Sequence, residues 1–215
     1  GLEMSLKMLE ALLFAALGYV MGSVMNGYLL PKYLKGIDIT KVSEDHNPGT
    51  ANVMKYAGVP VGIVCLLFDI GKGYLPVVWA TRFLTPASVF FAGILAAPVI
   101  GHAYPLWKNS HGGKAIAVSF GVLLGIVRFS QSVFLLAGIY IAMLFFREIR
   151  PNERKSVYTF GIFGIAATIE LFVGKYPGIC IGNMVIALIV MRKNWEGARF
   201  GSQEEWKKIK ETTNH

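Results

Sequence analysis

The sequence predicts an all-α fold: a polytopic integral membrane protein with seven transmembrane helices, its N-terminus outside and its C-terminus in the cytoplasm. Three observations predict it. First, the 215 residues are 54% hydrophobic and only 16% charged, with a mean hydropathy of +0.51, whereas a soluble domain carries roughly 45–50% apolar and about 25% charged residues. The shortage of charge weighs more, because a water-facing surface of this size needs those groups. The same composition excludes a disordered chain, which is poor in apolar residues and rich in charge. Second, apolar residues gather into runs approaching the ~20 that a helix needs to cross ~30 Å of hydrocarbon. Third, basic residues favour alternate segments between those runs.

In chain order the runs are Leu9–Leu30, Val59–Thr81, Ala87–Gly101, Ala115–Val127, Phe129–Phe146, Val157–Val173 and Tyr176–Met191. The first continues past any small-residue cleavage site and is read as a span rather than a signal peptide; Gly1-Leu-Glu ahead of Met4 is set aside. Runs four and five are divided only by Arg128, so two helices or one bent helix both fit. Charge favours two. One set of alternate segments holds Lys32, Lys35, Lys41, Lys55, Lys108, Lys114, Arg147, Arg150, Arg154, Lys155, Arg192, Lys193, Arg199, Lys207, Lys208 and Lys210, and the other only Lys7, Arg82, Arg128 and Lys175. Sixteen against four is a positive-inside bias, and merging the two runs spoils it. The net charge of +8 is therefore assigned to membrane topology rather than to nucleic-acid binding. Cys65 and Cys180 lie inside apolar runs with no CxxC pair and read as apolar fillers. One membrane domain, 1–215, is expected, with a polar cytoplasmic tail over 192–215 in which Glu204–Lys210 fits a short surface helix.

Three polar clusters stand out, all on the predicted cytoplasmic side. Ser43-Glu-Asp-His-Asn-Pro-Gly-Thr-Ala-Asn52, followed by Lys55, places the donors Asn47, Thr50 and Asn52 around a Pro48-Gly49 turn. It reads equally as an anion cradle or as an ordinary capped turn. Asp69 and Lys72 share one helix face at i, i+3 inside the second run. Charges at that depth cost ~2.5–3.5 kcal/mol each, so they face the protein interior, as a structural ion pair or as a substrate contact. Gly101-His102-Ala-Tyr-Pro105 leads through His111 to Gly112-Gly113-Lys114 and directly into a span. A lysine at a helix N-terminus beside exposed backbone amides suits a phosphate, though Lys114 also fits an interfacial snorkelling lysine. The HxxxxD acyltransferase motif, the GxSxG elbow, HExxH and metal-spaced His/Cys sets are absent. No metal or cofactor is expected. Glu170, a further acid within a span, reads as a cap near the outer end.

Taken in order, these clusters resemble the bacterial acyl-phosphate:glycerol-3-phosphate acyltransferases, the PlsY-type membrane family. The resemblance runs through Gly22-Ser23, Gly36-Ile-Asp38, Asn47-Pro-Gly49 to Asn52-Val53, Asp69-Ile-Gly-Lys72-Gly73, Gly101-His102 to Pro105, and Gly112-Gly-Lys114, within roughly the first 125 residues. It implies a seven-span bundle in a bacterial inner membrane with cytoplasmic active-site loops. The implied reaction moves a fatty acyl group from a soluble acyl phosphate to the 1-hydroxyl of glycerol 3-phosphate, giving lysophosphatidic acid and phosphate. No nucleic acid and no obligate protein partner are implied. On that resemblance Lys114, Lys55 and Asn47 act on the phosphates and His102 holds the second loop in shape. Ser43, Gly49, Thr50, Asn52, Gly112, Gly113, Asp69, Lys72 and Ser156 complete the substrate site. The chain departs from the family in several places. Its first loop has an extra residue and two added acids, and Lys55 replaces an arginine. His111 and Ala115 stand where lysine and glycine are common. Asn152-Glu-Arg-Lys-Ser156 matches the third motif poorly, and the last span ends in Arg192-Lys-Asn-Trp-Glu196 where Arg-His-Arg-Glu-Asn is usual.

An acyl phosphate is already activated, so the expected work of the protein is orientation and charge stabilisation. With no His–Asp dyad written in the sequence, a substrate phosphate is the expected proton acceptor, with His46 as competitor. Two rival functions remain at this point: a small transporter or flippase for a phosphorylated or lipid solute, lined by Asp69 and Lys72, and a catalytically silent relative.

Overall fold

A computed structural model of the chain describes residues 1–107 and 112–199. Among the described residues every regular element is a helix. In order these are α1 (Leu2–Gly22), α2 (Asn26–Lys35), α3 (Ile39–Val42), α4 (Thr50–Ala57) and α5 (Val59–Ala80). They are followed by α6 (Phe91–Ala103), α7 (Ile116–Gly125), α8 (Ser132–Phe145), α9 (Asn152–Val173) and α10 (Pro177–Arg199). Among the described residues, three helical stretches are long and apolar enough to cross a membrane: Leu2–Lys35, α5 and α9. The apolar helices α6, α7 and α8 hold 13, 10 and 14 residues, short of the ~20 that span a bilayer alone.

The apolar runs appear as helices with shifted ends. The first run is not one helix: it breaks at residues 23–25 between α1 and α2. Helix α1 lies so close to α6 that a Cβ on Gly22 would sit 2.2 Å from the Pro98 carbonyl oxygen. The backbone oxygens freed by the break find partners, as a buried chain requires: Trp107 Nε1 donates to Ser23 O at 3.1 Å and Lys72 Nζ to Val24 O at 2.7 Å. The fourth and fifth runs are the separate helices α7 and α8. Helix α9 starts ahead of its run, after Pro151, with Glu153 in its first turn, where a carboxylate complements the helix dipole. Helix α10 begins at Pro177 and continues to Arg199, so residues 192–199 of the expected tail are helical. The expected Glu204–Lys210 helix, Lys108 and His111 lie outside the described residues.

Small residues set the packing distances, as is usual between membrane helices. Helices α5 and α7 meet through Gly73 and Gly121, where a Cβ would stand 2.5 Å from Val118 O and 2.0 Å from Ile70 O respectively. The core gathers Phe91, Leu95, Val118, Val122, Leu123, Phe160, Phe163, Ile186 and Val190, all buried. On the outside, Leu67 and Phe68 of α5, Phe134 of α8, and Ile165, Ile169 and Phe172 of α9 are each more than half exposed. Exposure of that extent across several helices is the surface a lipid environment covers.

Candidate functional site

A cavity of about 640 Å³ opens where α4, the start of α7, the end of α8 and the start of α9 converge. Its lining mixes two chemistries: the polar residues Glu44, Asp45, Asn47, Thr50, Asn52, Lys55, Asp69, Lys114, Glu153, Lys155, Ser156, Thr159 and Asn194, and the apolar or aromatic residues Leu66, Ile116, Phe120, Tyr140, Met143 and Leu144. Phe120 and Tyr140 meet edge-on with ring centres 6.2 Å apart. A cavity lined by both charged and apolar side chains suits a molecule with a charged head and a hydrocarbon tail.

Lys114 is central among the polar residues. The loop carrying it folds tightly against α6: Gly113 N donates to His102 O at 3.0 Å. A Cβ on Gly112 would lie 1.8 Å from Ala103 O, and one on Gly113 would lie 2.1 Å from His102 Nε2. Ala115 then takes a left-handed backbone with φ of 61° to start α7, which explains the physical suitability of glycine at this place. Lys114 Nζ donates to Asp45 Oδ2 at 2.7 Å and to Glu153 Oε1 at 2.6 Å. Partial burial acts to lower the Lys114 ammonium, but the carboxylates of Glu153 and Asp45 outweigh it and hold its pKa above the ordinary lysine value. Burial pushes the Asp45 carboxyl up, yet the Lys114 ammonium and the Asn52 amide together bring it below the ordinary value.

The first loop is held by its own side chains. Asn52 Nδ2 donates to Asp45 Oδ1 at 2.7 Å and to Asn47 O at 2.8 Å, and Asn47 N donates to Asp45 Oδ1 at 3.2 Å. Lys55 lines the cavity from a largely exposed position, 3.7 Å from Glu44. Lys55 and Lys114 thus face the same cavity, as do Asn47, Gly49, Thr50, Asn52, Asp69, His102 and Ser156.

Four expected site residues lie elsewhere. Ser43 is 2% exposed and donates its hydroxyl to Ile39 O at 2.6 Å, the ordinary helix-end contact of the short α3. Lys72 is buried against Asp69 at 2.9 Å and the Val24 carbonyl, so of the two readings of this pair the structural one matches its contacts. Gly112 and Gly113 form the floor beneath Lys114 rather than the cavity wall; the Gly113 amide is already used by His102. His46, the competing base, is exposed with φ of 54° and its Nδ1 lies 2.7 Å from Thr40 O, outside the cavity lining.

Sequence reasoning missed Asp45 and Glu153 as partners of Lys114, and missed Lys155, Thr159 and Asn194 altogether. The available signal was weak: Glu153 precedes Ser156 by one helical turn at the mouth of an apolar run. Four cavity-lining groups, Asn47 Oδ1, His102 Nδ1, Thr159 Oγ1 and Asn194 Oδ1, are buried without a hydrogen-bond partner among the described residues. Buried polar atoms are nearly always satisfied, so this concentration marks a place for a polar ligand. Among the described residues no three His, Cys, Asp or Glu side chains converge on a metal-sized site.

Known proteins resemble this chain in sequence and in fold. Residues 12–199 match the sequence model of the family described as glycerol-3-phosphate acyltransferase. The glycerol-3-phosphate acyltransferase of Myxococcus xanthus is 41% identical over 127 residues, which is 59% of this chain and 65% of that protein. The one from Thermotoga petrophila is 41% identical over 61% of this chain and 66% of its own length; the chain thus spans just under two thirds of these relatives. The Pseudomonas paraeruginosa protein of the same name is 35% identical over 84% of this chain and 90% of its own. Two crystal structures of PlsY, an integral membrane glycerol 3-phosphate acyltransferase, share the fold over 86% of this chain and 88% of theirs. The glycerol 3-phosphate form superposes with a TM-score of 0.73 at 26% identity, and the lysophosphatidic acid form with 0.72 at 22%. On this match of sequence and fold, the chain is an all-helical integral membrane protein and belongs to the glycerol-3-phosphate acyltransferase family, of the PlsY type.

Proposed function

We propose that this protein transfers a fatty acyl group from an acyl phosphate to the 1-hydroxyl of glycerol 3-phosphate, releasing lysophosphatidic acid and inorganic phosphate. The observation that carries the reading is the cavity in which Lys55, Lys114, Lys155 and unpartnered amides share the lining with apolar side chains. An acyl phosphate has both chemistries in one molecule. In the reaction the acceptor hydroxyl oxygen bonds to the acyl carbonyl carbon and the carbon–oxygen bond to phosphate breaks. Lys114 and Lys55, aided by the N-terminal end of α9 at Asn152–Ser156, stabilise the charge that grows on the departing phosphate. Thr50 and Asn47 orient the phosphate oxygens, Asn52 holds their loop in shape through Asp45 and Asn47 O, and Ser156 adds a hydroxyl from α9. A tail along Leu66, Phe120 and Leu144 gains about 0.8 kcal/mol per buried CH₂, which accounts for a transferase embedded in a bilayer.

The alternation of basic segments supports a seven-span topology with the cavity on the cytoplasmic face of a bacterial inner membrane. The reading needs no cofactor, nucleic acid or protein partner. Against a transport path, Asp69 and Lys72 bond each other, Asn26 Nδ2 donates to Asp69 at 2.9 Å and Lys72 donates to the Val24 carbonyl, so both charges are held in structural contacts. The test is phosphate release by detergent-purified protein given acyl phosphate with and without glycerol 3-phosphate. Release that requires both, with lysophosphatidic acid formed, supports the reading; solute uptake into vesicles without release sinks it.

A further inference from the structure

The second half of α10 carries a pattern that the first cavity does not use. Leu188, Met191, Arg192 and Trp195 recur at three- and four-residue spacing, which places them on one face of the helix. Leu188 is 67% exposed and Trp195 53%. That face meets Tyr104, the residue that follows α6, and a second cavity of about 630 Å³ opens between them, completed by Lys193 and Glu196. Lys193 Nζ stands 5.1 Å from the centre of the Tyr104 ring, a cation–π distance. The segment carrying Tyr104 is anchored to α1 and to the break after it: Tyr19 Oη donates to Tyr104 O at 3.0 Å, and Trp107 Nε1 to Ser23 O at 3.1 Å. Among the described residues neither Arg192 nor Lys193 forms an ion pair.

The two cavities are separate, although near neighbours in the chain line both. His102 and Asn194 line the first, and Tyr104 and Lys193 the second. Asn194 is 1% exposed and its Nδ2 donates to Lys114 O at 3.5 Å. Helix α10 therefore presents the second cavity on a different face from the one that reaches Lys114.

We propose that this second cavity holds the phosphate headgroup of an anionic membrane lipid, with the first carbons of its acyl chains along Leu188 and Met191. Apolar and cationic groups follow one another along α10 in the order a lipid presents its own. Arg192 lies about 6 Å along the helix from Leu188 at about 1.5 Å per residue. A guanidinium grips phosphate through paired hydrogen bonds, and Lys193 adds a second cation beside it. Tyr104 and Trp195 are side chains of the kind that membrane proteins place at headgroup level, and basic pockets between membrane helices bind phosphate-bearing headgroups. Two cations against one carboxylate, Glu196, leave a positive surplus, which favours an anionic head over a zwitterionic one. A soluble anion uses the cations but gains nothing from Leu188 and Met191, whereas a lipid uses both. The binding requires no acyl transfer, so it stands apart from the reaction proposed above.

The experiment titrates the purified full-length protein in neutral detergent with phosphatidylglycerol, phosphatidylcholine or inorganic phosphate at equal concentrations. It reads the unfolding temperature and, by native mass spectrometry, the lipid retained. Phosphatidylglycerol should raise the unfolding temperature and stay bound, while phosphatidylcholine and inorganic phosphate should do neither. Arg192→Gln combined with Lys193→Gln should weaken phosphatidylglycerol binding by about 25-fold, at about fivefold for each basic residue beside an anionic lipid. Glu196→Gln removes the opposing carboxylate from an exposed position and should tighten binding, which keeps the assignment testable where the double variant does not fold. Lys114→Ala alters only the first cavity and should leave phosphatidylglycerol binding unchanged. Equal effects of the two lipids overturn the proposal, as does inorganic phosphate acting as strongly as phosphatidylglycerol. So does a double variant that binds as wild type, a Glu196→Gln protein that binds no tighter, or a loss of binding in Lys114→Ala, which places the lipid in the first cavity.

Discussion

Replacing Lys114 with alanine removes one ammonium that bonds Asp45 at 2.7 Å and Glu153 at 2.6 Å. Two effects on turnover follow. The first is the lost charge-assisted hydrogen bond to a substrate phosphate, about 1.5–3 kcal/mol, or about 10- to 150-fold in kcat/KM at about 1.36 kcal/mol per decade. The second is repulsion, because Asp45 and Glu153 then face the incoming phosphate without a counterion. A unit charge about 5 Å away opposes another by ~3 kcal/mol at an effective dielectric of about 20, a figure reduced here because the two carboxylate side chains are 31% and 18% exposed. Together they predict a fall in kcat/KM of about 10³-fold or more. Folding should suffer less, by about 1–2 kcal/mol, between the surface and buried limits for an ion pair. Phosphate release and lysophosphatidic acid formation measure the first, and thermal unfolding with size-exclusion in detergent measures the second. Adding Asp45→Asn to Lys114→Ala should relieve part of the repulsion and raise activity over the single variant. A folded Lys114→Ala protein with unchanged turnover refutes the assignment of Lys114 to the phosphate site.

Three further outcomes are expected. His46→Ala should keep kcat within about twofold, a margin of about 0.4 kcal/mol in barrier, because His46 lies outside the cavity lining; a large loss restores a histidine base. Gly112→Ala should lower the unfolding temperature and abolish activity, since its Cβ would lie 1.8 Å from Ala103 O, while Gly71→Ala, with nothing within 4 Å, should stabilise α5 by up to about 1 kcal/mol; equal unfolding temperatures for the two variants contradict the packing. The Asp45–Lys114 contact should depend on pH at both ends of the range. Asp45 has a lowered pKa, so its contribution is present above about 3.9 and is lost as pH falls through the lowered folded value. Lys114 has a raised pKa, so its contribution is present below about 10.4 and is lost as pH rises through the raised folded value. The unfolding-temperature difference between wild type and Asp45→Asn should therefore be flat from about pH 5 to 9 and shrink below about 4; a difference that persists undiminished at low pH removes the contact from the stability of the fold.

Particular residues show which features sequence alone can reveal. Seven apolar runs stood out because apolar composition is legible residue by residue, although the helices α6, α7 and α8 within them hold only 13, 10 and 14 residues. Lys55 and Lys114 stood out because a cation at the mouth of an apolar run has few neighbours to hide it. The break at residues 23–25 did not, since its carbonyls depend on Lys72 and on Trp107, which is 84 positions from Ser23. Nor did the partners of Lys114: Asp45 is 69 positions away and Glu153 is 39.

The sequence by itself determined that this chain is a helical membrane protein with polar loops rich in lysine, asparagine and glycine, because composition and charge spacing are local properties that the bilayer reads directly. Only the tertiary structure decided which of those groups share a cavity. It sent Ser43 and Lys72 into structural contacts, brought Asp45 and Glu153 onto one ammonium, and placed three lysines and four carboxylates in one cavity with apolar side chains. Contacts between residues tens of positions apart arise from how helices pack, and packing distance is set by pairs such as Gly73–Val118 and Gly121–Ile70 whose meeting no stretch of sequence records.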